Sequence, residues 1–149
     1  MAAPVQPLAA LPESLDAAEA APLLCAGITT FNALRHSGAV PGDLVAIQGI
    51  GVLGHLGIQF ANKFGYRAVA IGRGAENARL AKKLGAAEYI DSKATNAAQE
   101  WKKMGGARVI LATAPSAKAM SELVDGLGPN GTLVVVGVSM VPSRCHPFN

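Results

Sequence analysis

The stretch Val45–Gly65, VAIQGIGVLGHLGIQFANKFG, decides the fold of this 149-residue chain. It begins as a continuous apolar run, is interrupted by Gly49, Gly51 and Gly54, and continues with the apolar spacing of a helix. An apolar run without alternation is typical of a parallel strand that is covered on both faces. The stretch therefore predicts a buried strand, a tight glycine turn and a helix.

The spacing of these glycines, Gly-x-Gly-x-x-Gly, predicts a turn that binds the pyrophosphate of a dinucleotide. Gly49 permits the tight turn, Gly51 lets the backbone approach a pyrophosphate, and Gly54 lets the helix pack closely on the strand. The free amides and the positive end of the helix dipole then favour phosphate charge. The alternative is a turn with a purely structural role.

Strands and helices alternate along most of the chain. After a first strand at Leu44–Gln48, the pattern predicts strands at 68–71, 88–90, 109–112 and 133–136. The intervening helices are expected at about 54–64, around Leu80 and Leu84, at about 96–104 and at about 116–127. Before the first strand we expect two short helices, interrupted at Pro22 and Gly27, the second ending at Gly38.

Such an alternation predicts an α/β fold with a doubly wound parallel sheet, the Rossmann fold. A full fold of this kind has six strands in the order 3-2-1-4-5-6. The sequence predicts about five strands, and we expect the sixth strand to be missing. We expect residues 1–13 to be an extended linker segment and residues 14–149 to form the dinucleotide-binding domain.

The composition excludes several other classes of protein. Half of the residues are hydrophobic, 15% are charged, and the net charge is +3, which does not suit disorder, a coiled coil or a disulfide scaffold. The basic residues are scattered and do not interleave with aromatics, so nucleic acid is not an expected partner. The sequence shows neither a transmembrane span nor a signal peptide, and two cysteines make no framework, so a cytoplasmic protein without membrane contact is expected.

The end of the second strand predicts which dinucleotide binds. A site selective for NAD usually has an Asp or Glu there, which accepts hydrogen bonds from the ribose 2′-OH. This sequence has Gly72 and then Arg73. A glycine leaves room for a 2′-phosphate, and a guanidinium can pair with it, so NADP(H) is predicted over NAD(H). The alternative is that Arg73 is an exposed loop residue and Glu76 binds the ribose.

Four segments together resemble a known family: AAPLLCAGITTFNALRHSG, PGDLVAIQGIGVLGHLGIQFAN, AKKLGAAEYIDS and GPNGTLVVVGVSM. They resemble, in order and over nearly the whole chain, the cofactor domain of zinc-type alcohol dehydrogenases in the medium-chain dehydrogenase/reductase family. Within that family the resemblance is nearest to the NADP-using, cinnamyl-alcohol-like and fungal alcohol dehydrogenases.

The resemblance implies roles for particular residues. Cys25 corresponds to a ligand of the catalytic zinc, whereas without the resemblance it would be interpreted as a small buried cysteine on an apolar helix face. The implied cofactor contacts are Gly51, Val52 and Leu53 at the pyrophosphate, Gly72, Arg73 and Asn77 at the adenosine ribose and its phosphate, and Thr29, Thr113, Ala114, Gly137 and Val138 near the nicotinamide. Asn77 is a departure, since NADP-using relatives often carry a lysine there.

The resemblance also implies a function. The complete enzyme would move hydride between NADP(H) and an alcohol/aldehyde pair, with zinc bound only there, because the other zinc ligands lie in a catalytic domain that this chain does not contain. We expect the chain to be inactive by itself and to form a homo-oligomer through the exposed edge of the fifth strand. The alternative is a stand-alone, non-catalytic dinucleotide-binding or interaction module.

Overall fold

The structure, a computed structural model, describes residues 10–137. Within them one five-stranded sheet has the order β3-β2-β1-β4-β5, and every pair of neighbours is parallel. The strands are β1 Leu44–Gln48, β2 Arg67–Gly72, β3 Glu88–Asp91, β4 Ala107–Ala112 and β5 Leu127–Val135. The helices are α1 Ala17–Ala20, α2 Ala26–Arg35, α3 Val52–Lys63, α4 Glu76–Lys83, α5 Ala97–Lys103 and α6 Ala117–Leu123. The predicted doubly wound α/β fold and its strand order are confirmed.

Both faces of the sheet are buried, which explains the apolar runs of the central strands. Successive residues of β1 belong to different cores: Val45 and Ile47 pack with side chains of α2, α3 and α4, whereas Leu44 and Ala46 pack with side chains of α5 and α6. Such alternation follows from the two-residue repeat of a strand. Every residue of β1 is therefore buried, and the carboxyl ends of the strands are the edge left for a ligand.

The N-terminal helices differ from the prediction. A 3₁₀ turn at Ala21–Leu24 follows α1, and the break before α2 comes at Cys25, which has a non-helical backbone. Gly27 is instead buried inside α2, where a Cβ would lie 3.1 Å from the Cβ of Leu23. This glycine is thus explained by close packing against the 3₁₀ turn, and the helix ends at Arg35, three residues before Gly38.

The last strand begins earlier than predicted. The sequence predicts the last strand at 133–136, and GPNG just before it is typical of a turn, but β5 pairs with β4 from Leu127 onward. Between Ala107 and Val109 the register shifts, so that extra residues of β5 bulge out. Asn130 in this bulge has φ 55°, and its carbonyl accepts a hydrogen bond from Arg108 of β4. The segment therefore does contain a backbone conformation typical of turns, but it forms a bulge inside the strand.

No single helix within residues 10–137 is long and apolar enough to cross a membrane. Only the pair Ala17–Leu24 and Ala26–Arg35, bent by 48°, meets that requirement when both are taken together, by length and composition alone. Ala20, Ala26 and Leu34 of this pair are buried in the fold.

The glycine turn brings α3 against the end of β1. A Cβ on Gly54 would lie 1.8 Å from the carbonyl oxygen of Gly49, a separation that no real atom pair tolerates. Gly49 itself has φ 94°, in the region that favours glycine, and a Cβ there would lie 2.9 Å from Oγ1 of Thr113. Gly51 is different, because its φ is −86° and a Cβ on it would meet no atom within 4 Å among the described residues.

This difference predicts a contrast between two alanine variants. Gly54→Ala forces the helix away from the turn, and we expect the free energy of unfolding to fall by about 3 kcal/mol, as for severe overpacking. Gly51→Ala should change it by no more than about 1 kcal/mol, since only a weak capping preference is lost. Urea unfolding followed by circular dichroism measures both. Equal losses in the two variants would contradict the packing argument.

Candidate functional site

Two clefts lie side by side at the carboxyl ends of the strands. The larger, of about 750 Å³, extends from β1 across the ends of β2 and β3 to α6. The smaller, of about 310 Å³, lies over the start of α3 and the residues that follow β4. Gly49 and Ala114 line both clefts. Since β1 and β4 are the neighbours at which the strand order reverses, the clefts occupy the position where doubly wound sheets bind their ligands.

Hydrogen bonds between the ends of β1 and β4 form the floor shared by the clefts. Oγ1 of Thr113 donates to the carbonyl of Gln48 at 2.7 Å, and the amide of Thr113 donates to the same carbonyl at 3.0 Å. The buried Gln48 side chain accepts from the amide of Ala114 at 3.3 Å. Thr113 and Ala114 are thereby fixed against the glycine turn, so the two predicted nicotinamide contacts and the predicted pyrophosphate turn share one site.

The glycine turn presents backbone amides to the smaller cleft. Gly51, Val52 and Leu53 line it, and Gly51 is the N-cap of the twelve-residue helix α3 without a side-chain cap. The first amides of a helix have no partner within the helix, and together with the helix dipole they favour a phosphate group. The fold itself does not require a glycine at position 51. A pyrophosphate that approaches the backbone there does require a glycine. The residues therefore fit a dinucleotide.

The larger cleft carries positive charge at the ends of β2 and β3. Arg73 and Asn77 line it, as predicted for the adenosine side, and so does Lys93 after β3. The guanidinium of Arg73 makes no hydrogen bond or ion pair with residues 10–137, while the amide nitrogen of Asn77 donates to the carbonyl of Arg73 at 3.0 Å. One carboxylate, Glu122 of α6, also lines the cleft. Two cations thus stand at one end of the cleft, with the side-chain donors of Arg73 left for an anion.

The loop that carries Arg73 is held by two side chains of β3. The hydroxyl of Tyr89 donates to the carbonyl of Gly74 at 2.6 Å, and Oδ1 of Asp91 accepts from the amide of Gly74 at 2.8 Å. Burial raises the pKa of the Tyr89 hydroxyl, and the carboxylates of Asp91 and Glu76 raise it further, so the hydroxyl remains a donor at neutral pH. The backbone amides of Gly74 and then Lys93 lower the pKa of Asp91 below its usual value.

Some residues implied by the resemblance lie outside the clefts. Thr29 and Cys25 are exposed on or beside α2 and line neither cleft. The buried neighbour of Thr29, Thr30, is the one that approaches the turn, with Oγ1 donating to the carbonyl of Leu53 at 3.5 Å. Gly137 packs against the backbone of Thr113, where a Cβ would lie 2.7 Å from its carbonyl oxygen. Val138 lies outside the described residues.

Glu76, the alternative ribose ligand, stands near the loop without lining the larger cleft. Its carboxylate lies over Gly74, since a Cβ on that glycine would come within 2.2 Å of both carboxylate oxygens. Gly74 has φ 90°, so glycine is favoured there by the backbone as well.

The surroundings of Cys25 decide whether it can hold a zinc ion in this chain. Its thiol is exposed and free of any disulfide. Within residues 10–137 there is no group of three or more His, Cys, Asp or Glu side chains that could hold a metal ion. A catalytic zinc needs three protein ligands and an open position. Cys25 and the other described residues therefore do not fit a zinc ion by themselves, and no step of the chemistry is assigned to zinc here.

Three residues of the site were missed by the sequence interpretation. Lys93 is the second cation of the larger cleft, and Tyr89 and Asp91 hold the loop of Arg73. A usable signal exists for Asp91 and Lys93, because residues just after neighbouring parallel strands meet at the same edge of the sheet. Tyr89 gives no such signal, since it resembles any half-buried strand residue.

The lowered pKa of Asp91 predicts a pH dependence of stability. The folded-state pKa lies below the unfolded value of about 3.9, so this carboxylate stabilises the fold above that pH, and the stabilisation is lost as the pH falls through the folded-state pKa. Asp91→Asn should lower the stability at neutral pH and flatten its decline in acid. Urea unfolding at several pH values between neutral and acid measures this.

The matched control is Asp125→Asn, which removes an exposed carboxylate far from the loop in sequence. Its acid decline should run parallel to that of the unaltered protein. A steep decline retained in Asp91→Asn would show that Asp91 has no part in it.

Comparison with known proteins agrees with this geometry. Residues 52–149 match the family model described as zinc-binding dehydrogenase. Over 128 residues the chain is 48% identical to the alcohol dehydrogenase patD of Penicillium expansum. The matched region covers 86% of this chain and 38% of that protein. An alcohol dehydrogenase of Geobacillus stearothermophilus is 41% identical over 137 residues, or 91% of this chain and 40% of that protein. The chain thus spans about two fifths of the length of these curated relatives.

Solved structures give the same result. The alcohol dehydrogenase of Thermus sp. ATN1 superposes with a TM-score of 0.84 and 27% identity, over 93% of this chain and 41% of the other. A quinone oxidoreductase of Pseudomonas syringae superposes with a TM-score of 0.80 and 26% identity, over 86% and 41%. With its Rossmann sheet, its glycine turn and these matches, the chain belongs to the zinc-binding dehydrogenase family and carries that family's domain for a nicotinamide dinucleotide.

Proposed function

We propose that this chain binds NADP(H) in preference to NAD(H), with its pyrophosphate on the start of α3 and its 2′-phosphate beside Arg73. The observation that carries the proposal is the open space at Gly51, where the fold itself does not require a glycine. Arg73 supports the preference for the phosphorylated cofactor, because this residue lines the larger cleft and its guanidinium pairs with no described residue. Lys93 adds a second positive charge at the same end.

The preference rests on charge and on the missing carboxylate. An Asp or Glu at the end of β2 would accept hydrogen bonds from a 2′-OH and repel a 2′-phosphate. Gly72 supplies no such group, and a guanidinium beside a phosphate forms charge-assisted, often paired hydrogen bonds. Asn77 contributes less, since its amide nitrogen already donates to the carbonyl of Arg73.

We further propose that a longer protein containing this domain is an alcohol dehydrogenase, which moves hydride between NADP(H) and an alcohol/aldehyde pair. The supporting observation is the identity of 48% to the alcohol dehydrogenase patD of Penicillium expansum. In such a protein Cys25 would be one of several zinc ligands. Its exposed position beside α2 leaves the thiol accessible to residues of another domain. We also propose that this longer protein belongs to the NADP-using, cinnamyl-alcohol-like branch of the family.

We also propose that copies associate through the outer edge of β5. This strand pairs with β4 on one side. On its other side it pairs with no strand among the described residues. Val135 near its end is 54% exposed. An unpaired strand edge with apolar side chains is a template for pairing with a second chain.

The cofactor preference predicts the effect of removing Arg73. Arg73→Ala should raise the Kd for NADPH about 10- to 100-fold, the equivalent of a lost hydrogen bond to a charged group, and leave the Kd for NADH nearly unchanged. Calorimetric titration of both reduced cofactors measures this. Arg79→Ala, which removes an exposed arginine of α4 that lines neither cleft, is the control and should bind both as before. Tighter binding of NADH than of NADPH by the unaltered protein would overturn the preference.

A turnover assay separates a domain that needs the rest of an enzyme from an enzyme complete in itself. With NADPH, zinc and an aromatic aldehyde, we expect the isolated chain to bind the cofactor without oxidising it, because Cys25 alone cannot hold a catalytic zinc. The loss of NADPH absorbance is the measurement. Turnover by the isolated chain would contradict this expectation.

A further inference from the structure

The glycine at the end of β2 has a neighbour that fills the space beside it. Gly72 pairs with Asp91 of the parallel strand β3, and Tyr89 lies two residues earlier on that strand. A Cβ on Gly72 would lie 2.8 Å from Oη and 3.1 Å from Cε2 of Tyr89, and 3.3 Å from Cδ1 of Ile50. No side chain fits at position 72 while the Tyr89 ring is in place.

Tyr89 is held in this position from both ends. Its hydroxyl donates to the carbonyl of Gly74 at 2.6 Å, and its ring packs against the core beneath α3 and α4. A larger residue at position 72 would therefore have to break that hydrogen bond and displace part of the core. The group that would have to move is a stiff aromatic ring with few alternative conformations, and not the end of a flexible side chain.

Tyr89 also determines the path of the loop beyond Gly72. With Asp91, which accepts from the amide of Gly74 at 2.8 Å, it holds both backbone groups of that residue. Tyr89 and Asp91 alternate with Ile90 along β3, so they project from the same face of the strand. Arg73, between Gly72 and Gly74, is thereby kept at the mouth of the larger cleft.

We infer that Tyr89 is the residue that selects the cofactor: its ring excludes a ribose-binding carboxylate at position 72, and its hydroxyl fixes the loop that presents Arg73. The inference rests on the proposed NADP(H) binding and deepens it. Selection here works by excluding a competing arrangement as much as by attraction. Tyr89 is a positioning residue, since it does not itself line either cleft.

The test is a double-mutant cycle of Gly72→Asp and Tyr89→Val, in which valine keeps the preference of the position for a strand. Kd values for NADH and NADPH are measured by calorimetry for the unaltered protein, both single variants and the double variant. With Tyr89 present, G72D should weaken the binding of both cofactors, because the carboxylate displaces the ring and the loop. In the double variant the carboxylate has room beside the ribose, and we expect NADH to bind about tenfold more tightly than to G72D alone, the equivalent of one charge-assisted hydrogen bond. NADPH should remain weak in it.

The variant Tyr89→Phe separates the ring from the hydroxyl and preserves the packing. Combined with Gly72→Asp it retains the ring atom that would lie 3.1 Å from a Cβ, so it should not recover NADH binding. By itself Y89F should weaken NADPH severalfold, through the released loop, and leave NADH unchanged. Circular dichroism and urea unfolding verify that each variant is folded.

The outcomes distinguish this inference from the proposal beneath it. If the unaltered protein binds NADPH but the effects of G72D and Y89V simply multiply, the inference is overturned and the proposed function stands. The same holds if G72D alone improves NADH binding. Failure of the unaltered protein to bind either cofactor would overturn both. Recovery of NADH binding in Y89V/G72D but not in Y89F/G72D supports the inference.

Discussion

The contact between Gly54 and the carbonyl of Gly49 is the constraint on which the rest of the site depends. It brings the first turn of α3 onto the end of β1 with no side chain between them. Because of this approach Val52 and Leu53, at the start of α3, line the smaller cleft. The same turn places Gly49 beside Thr113, whose hydroxyl donates to Gln48 and joins β1 to β4. The switch in strand order then becomes a binding crevice with a rigid floor.

The three glycines of the turn therefore have unequal roles. Gly54 and Gly49 are required by packing and by backbone conformation, and both would be needed in a turn that bound nothing. Among the three, Gly51 alone has a backbone angle that any residue adopts and free space where a Cβ would lie. This inequality favours the phosphate-binding interpretation of the spacing, since a purely structural turn gives no more than a weak capping preference for a glycine at that position.

Much of the fold could be predicted from the sequence, because its determinants are local. Apolar strands and glycine-punctuated helices repeat along the chain, and the right-handed crossover rule leaves few ways to order them. The errors arose where a local signal had a tertiary cause. Gly27 is small because it packs against Leu23 and not because a helix ends there. GPNG is a bulge, held by Arg108, inside a strand and not a turn before one.

In the candidate site, too, some positions follow from the local sequence pattern and others depend on tertiary packing. Arg73, Asn77, Thr113 and Ala114, with all residues of the turn except the buried Gly54, could be placed at the clefts because strand ends converge in any sheet of this order. Thr29, Cys25 and Gly137 were carried over from the resemblance, and their positions outside the clefts depend on packing that no spacing reveals.

Gly72 shows why a cofactor preference is not a property of one position in the sequence. From the sequence, the glycine means only that a carboxylate is missing, and it is equally compatible with a site that a single substitution would convert. In the structure the space beside Gly72 is occupied by the ring of Tyr89, a residue of the neighbouring strand. That ring is in turn fixed by the loop carrying Arg73, through the carbonyl of Gly74. The missing carboxylate and the added guanidinium are therefore linked by one side chain, so a change at position 72 alone alters the loop as well as the charge. The preference for NADP(H) that we propose would resist single substitutions at the strand end, because attraction and exclusion would depend on the same contact.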